Sequence, residues 1–92
     1  MTKGWLEEIN LELEELKKGL DIVETEFVKD QIVNAIEELM WEFVDENSLR
    51  DEARDVRRAI SKFRYTRKIS QVKKSLEKLQ KRIDKVIING VA

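Results

Sequence analysis

Asp45-Glu46-Asn47-Ser48 divides this chain in two. Residues 1–49 carry four Lys and Arg against fourteen Asp and Glu, and residues 50–92 carry fourteen against five. The charge therefore passes from −10 to +9 at one short run of turn-forming residues, between halves of nearly equal length. The expected arrangement is one helical domain over residues 1–92, folded back at a turn over 45–48. An acidic arm (1–47) then lies against a basic arm (49–92), and pairing of opposite charges sets the register.

On the basic side of the turn, Ser48 and Asp51 have the spacing of an N-cap pair for a helix over 49–64. Leu49, Ala53, Val56, Ile60 and Phe63 recur at alternating four- and three-residue steps, an apolar seam on one helix face. A second seam, Ile69, Val72, Leu76, Leu79, Ile83 and Val86, lies about 160° from the first around an ideal helix. Either the chain breaks near Tyr65-Thr66, with Thr66 as a cap, or one long helix shows opposite faces to different partners. Asn89-Gly90 is a stop signal for the last segment, 67–88.

On the acidic side, residues 22–46 read as a helix whose apolar face holds Val28, Ile32, Ala35, Ile36, Leu39 and Phe43. Val33, Met40 and Val44 widen that arc to roughly 180°, which asks for two neighbours. Residues 5–18 carry a coiled-coil-like seam of Leu6, Ile9, Leu13, Leu16 and Leu20. Lys17-Lys18-Gly19 ends it, and Asp21 with Glu24 caps the next helix, unless one helix continues with a kink near Gly19. Four helical segments follow, which merge into two of about 40 residues, roughly 60 Å each, if both breaks are soft. The fold class is all-α: an antiparallel hairpin or four-helix bundle. Completion by a homodimer is expected, because one thin seam does not cover so wide a face.

The composition agrees. Forty per cent of residues are charged, and there is no proline, cysteine or histidine. That is the make-up of a long-helix protein, and it also suits a thermophile. Without Cys and His there is no disulfide framework, no ordinary zinc site and no His general base. No cofactor is expected. The glutamates at 7, 8, 12, 14 and 15 fall largely off the leucine seam and read as a solvated face. No apolar run is long enough to span a membrane, no signal peptide is visible at the start, and the expected address is cytoplasmic. The helical chorismate mutases are similar in length and class, but they grip a dicarboxylate with arginines, one near the chain start; residues 1–49 hold none.

Two features point outward. Trp41 falls off the apolar arc among Glu37, Glu38 and Asp45, and tryptophan is frequent at binding hot spots. Arg57, Arg58, Arg64, Tyr65, Arg67 and Lys68 form a basic surface with one aromatic residue among them. The expectation is a non-enzymatic module acting by protein–protein contact through Trp41 and this surface, with a second copy of itself and another protein as partners. Adaptors, toxin-neutralising proteins and small viral or plasmid regulators all belong to that class. The alternative is nucleic-acid binding by the basic arm, with Tyr65 stacking on a base; the net charge of −1 opposes it.

The run Ile60-Ser61-Lys62-Phe63-Arg64-Tyr65-Thr66, followed by Leu76, Leu79 and Ile88-Asn89-Gly90-Val91, resembles the closing third of the enterocin-type bacteriocin immunity proteins. The resemblance covers about 30 residues. It implies a cytosolic antiparallel four-helix bundle that neutralises a toxin by binding.

Overall fold

The computed structural model describes residues 3–89. Four helices account for most of them: α1 (Lys3–Ile22), α2 (Glu26–Met40), α3 (Arg50–Thr66) and α4 (Ser70–Asn89). A single 3₁₀ turn, Trp41–Phe43, continues from α2. Each helix packs on its neighbours in chain order, and α4 closes the ring on α1. Polar contacts fix the directions. Asn10, Glu14 and Asp21 of α1 meet Asp84, Gln80 and Lys73 of α4, rising along one helix as they fall along the other. Glu26 and Glu37 of α2 meet Arg67 and Arg64 at and beyond the end of α3 in the same sense. The bundle is therefore antiparallel throughout, with short connections between neighbours.

The seams read from the sequence meet inside. Leu6, Ile9, Leu13 and Leu20 of α1 are buried with Val33, Ile36, Met40 and Phe43 from the α2 segment. Leu49, Ala53, Val56, Ile60 and Phe63 cover them from α3, and Val72, Leu76, Leu79, Ile83 and Val86 from α4. The half-buried Trp5 ring closes one end against Phe43, with centroids 5.9 Å apart and planes tilted by 59°. The wide face of α2 finds its two neighbours, α1 and α3, within one chain. Val28 and Val44, at the edges of that face, remain exposed.

The helices do not merge into two. The longest dimension is 39 Å, against roughly 60 Å for a 40-residue helix. Their ends differ from the sequence reading in several places. Gly19 does not stop α1. The helix runs on to Ile22, which carries Leu20 into the core, and Gly19 lies where Ile32 of α2 packs closely. Asp21 lies inside α1 and caps nothing; Thr25 is the N-cap of α2, its Oγ1 accepting from the Val28 amide at 3.3 Å. The second helix ends at Met40, not near 46, and tightens to 3₁₀ so that Phe43 points into the core. Ser48 is not a cap either. The buried Leu49 takes that position without a side-chain bond, the Ser48 carbonyl accepts from Arg82 Nε, and Asp51 pairs with Arg54.

The break after α3 is real but falls at 67–69. Thr66 belongs to α3, and its Oγ1 accepts from the Lys68 amide. Arg67 ends the helix in the left-handed conformation, φ 63°, donating its amide to the Phe63 carbonyl. A non-glycine residue there is uncommon. Its guanidinium lies 4.6 Å over the Phe63 ring and pairs with Glu26 and Asp30, contacts that hold the chain in that turn. α4 runs to Asn89, and the expected stop at Gly90 lies outside the described residues.

Candidate interaction surface

The ring order puts both acidic helices on one side and both basic helices on the other. Across the two seams between the arms, opposite charges pair. On the α2–α3 side, Arg64 grips Glu37 with two bonds, Nη1 to Oε2 at 3.1 Å and Nη2 to Oε1 at 2.8 Å, and Nη2 also donates to Asn34 Oδ1 at 3.0 Å. Arg67 takes Glu26 at 2.8 Å and Asp30 at 2.9 Å. On the α1–α4 side, Lys73 pairs with Asp21, and Gln80 Nε2 donates to Glu14 Oε2 at 2.9 Å.

These contacts hold three carboxyls below the ordinary value of 4.5. For Glu37 the Arg64 hydrogen bonds are the cause, for Glu26 the bond from Lys29 and then that from Arg67, and for Glu14 the bond from Gln80 and then that from Lys17. A carboxyl with a lowered folded pKa stabilises the fold above its unfolded pKa, and that contribution is lost as pH falls through the folded value. The urea midpoint is therefore expected to drop between pH 5 and pH 3. Arg64→Gln is expected to flatten that drop, because Glu37 then loses the main cause of its lowered pKa. An unchanged pH profile in the variant would show that the pair does not couple to folding.

The seven residues singled out from the sequence do not form one site. Trp41 is 57% exposed, and the Arg57 guanidinium lies over its ring at 4.3 Å. The Arg57 Nε is buried without a hydrogen-bond partner. Arg64 and Arg67 remain partly exposed, but their guanidinium groups are committed to carboxylates of α2. Arg58, Tyr65 and Lys68 are exposed. Tyr65 is 76% exposed and stands at helical spacing from Arg58 and Lys62, on the outer side of α3. Trp41 with Arg57 and Tyr65 with Arg58 are thus two separate places.

A larger basic feature lies between α3 and α4. Arg58 and Lys62 of α3 and Lys74, Lys78, Lys81 and Lys85 of α4 are all exposed and line one shallow groove or its rim. None has a carboxylate within ion-pair distance among the described residues, although Asp55 lines the middle of the groove and Glu52 one end. The spacing of the four lysines, at steps of four, three and four, is visible in the sequence as a face opposite the Val72–Val86 seam. What the sequence does not give is that α3 sets Arg58 and Lys62 beside them.

The large apolar side chains exposed among the described residues sit mainly on the other half: Leu11, Ile22, Phe27, Val28, Trp41 and Val44, against Tyr65 and Ile88 on the basic arm. Gly19, Ile22, Val23, Val28 and Ile32 line an open apolar depression at the α1–α2 corner. Among the described residues there is no cluster of acidic ligands fit for a metal ion, and no helix is long and apolar enough to cross a membrane. No protein-family model matches the chain, and neither a curated protein nor a solved structure matches it.

Proposed function

We propose that this chain is a protein-interaction module rather than an enzyme, docking a protein partner on the acidic half of the bundle. The observation that carries this reading is Trp41. Its large ring lies mostly in water, and Arg57 stacks on it with an unsatisfied Nε. Trp and Arg are the residue types most often found at the energetic centre of interfaces. A partner that covers the ring gains by burying its apolar surface, with the Arg57 guanidinium already stacked in place against it. The antiparallel four-helix order agrees with the architecture that the immunity-protein resemblance implies, but bundles serve many unrelated ends, so this agreement supports the fold and not the toxin.

The test is affinity capture with the wild-type chain and with Trp41→Ala side by side. Loss of an exposed ring and one exposed cation–π contact changes stability by no more than about 1 kcal/mol. The variant therefore stays folded. The expected result is a partner retained by the wild type and at least tenfold depleted on the variant. Identical profiles overturn the reading.

A second copy of the chain is a further candidate partner, favoured by the apolar depression at the α1–α2 corner, where Ile22 is 79% exposed. The internal core is closed without it, so any dimer forms by surface contact between folded chains. Light scattering across a concentration series is expected to show mass rising towards two chains, and Ile22→Glu to return it to one. A single-chain mass at all concentrations removes this reading.

A further inference from the structure

We infer that the α3–α4 face is a binding surface for the phosphate backbone of duplex nucleic acid, read without regard to sequence. This goes beyond the docking reading of Trp41 and stands on a different side of the molecule.

The first ground is unpaired charge. At the two seams between the arms basic side chains are used internally: Arg64, Arg67 and Lys73 each take a carboxylate from the acidic arm. Among the described residues the six at the α3–α4 groove take none, although the chain as a whole has an acid for every base. Two acids, Glu52 and Asp55, line the groove beside these six cations; fourteen of the nineteen acids lie on the acidic arm, across a bundle whose smaller dimensions are 21 and 18 Å. Salt screens charge over about 8 Å at physiological strength, so the acidic face does not cancel this field. The net charge of −1 therefore misdescribes what a ligand meets on this side.

The second ground is the shape of the charged set. Lys74, Lys78, Lys81 and Lys85 make a row of about 16 Å along α4, with Arg58 and Lys62 as a parallel row on the adjacent helix. Duplex DNA carries one charge per about 1.7 Å of its axis, so a row of this length faces several phosphates at once.

The third ground is what the face lacks. A protein interface needs an apolar centre with aromatic anchors. Tyr65 and Ile88 stand at opposite ends of this face, and among the described residues no large apolar side chain is exposed between them. A single-stranded ligand needs a series of stacking rings, and there is one. Charge without apolar anchors is the pattern that suits a duplex backbone.

The experiment is fluorescence anisotropy of a labelled duplex DNA titrated with the full chain, beginning at about 50 mM salt. Binding in the micromolar range is expected, with log K falling against log salt at a slope near −4, as for about four or five phosphate contacts. Lys74→Glu with Lys78→Glu is expected to weaken binding more than tenfold. The milder Lys74→Gln with Lys78→Gln should flatten the slope by about two units, which keeps the test valid if charge reversal disturbs the fold. Lys18→Glu, exposed on α1, serves as the control and should change nothing. The inference is overturned if no binding appears at low salt, or if the groove variants bind like the wild type. It also fails if a single strand binds more tightly than the duplex. Equal displacement by polyglutamate would assign the face to an acidic protein instead, and low-salt self-assembly that duplex cannot dissolve would assign it to the acidic half of another copy.

Discussion

Phe43→Ala is expected to lower unfolding free energy by about 3–5 kcal/mol, whereas Trp41→Ala, two residues earlier, costs no more than about 1 kcal/mol. The Phe43 ring is fully buried, the Trp41 ring mostly exposed. Removing Phe43 leaves a cavity at the end of the bundle where Trp5 packs, and the half-buried indole cannot collapse into it without giving up its own cover. The position also controls the backbone. α2 gives way to 3₁₀ at Trp41–Phe43, and the ring holds that turn against the core. Total stability for a domain of this size is about 5–14 kcal/mol, so the substitution removes about a fifth or more. The thermal midpoint is expected to fall by more than about 12 °C. A fall in Phe43→Ala no larger than in Trp41→Ala would mean that the 3₁₀ turn is held by its backbone bonds alone, and that the end of the core is loosely packed.

That contrast was legible in the sequence. Phe43 lies on the apolar arc with Ile36 and Met40, and Trp41 lies off it, so period alone sorts the two rings. The same period placed nearly every buried residue, because a seam at three- and four-residue steps has one way to face inward. It left the Leu49–Phe63 and Ile69–Val86 seams either parted by a break or shown by one long helix to different partners, and burying both within one chain takes the break.

Helix ends were less legible, for physical reasons that differ by site. Two capping signals compete between Asp21 and Val28, and local sequence does not rank them. Burial of Leu20 does, by drawing α1 past Gly19 and leaving Thr25 as the first free cap. At Leu49 a buried apolar side chain outweighs the cap that Ser48 offered, because the core contact is worth more than one hydrogen bond. Arg67 is the least readable. Its left-handed backbone is held by Glu26, Asp30 and Phe63, partners up to 41 residues away. The surface was half legible. The lysine row on α4 is a sequence pattern, but its pairing with Arg58 and Lys62 and the withdrawal of Arg64 and Arg67 into ion pairs are consequences of packing.

Gln80→Leu is expected to stabilise the protein by about 1–2 kcal/mol, the reverse of what most core substitutions do. Gln80 is the buried polar residue of α4, set between Leu76, Leu79 and Ile83 and facing α1. Its Nε2 donates to Glu14, but its Oε1 is buried without a partner. An acceptor left dry and unpaired costs about 1–3 kcal/mol, more than a single bond to a half-exposed carboxylate returns. Leucine fills similar space and removes the unsatisfied atom. The pH dependence separates this account from simple repacking. The bond from Gln80 is the main reason the Glu14 carboxyl lies below its ordinary value. In the wild type that contribution is present at neutral pH and is lost as pH falls through the lowered pKa. The leucine variant never has it. The advantage of Gln80→Leu is therefore expected to be larger at pH 3 than at pH 7, in urea unfolding followed by circular dichroism. A destabilised variant would mean that water reaches Oε1 and that Gln80 fixes the register of α1 on α4, the use to which buried polar groups are put in coiled coils.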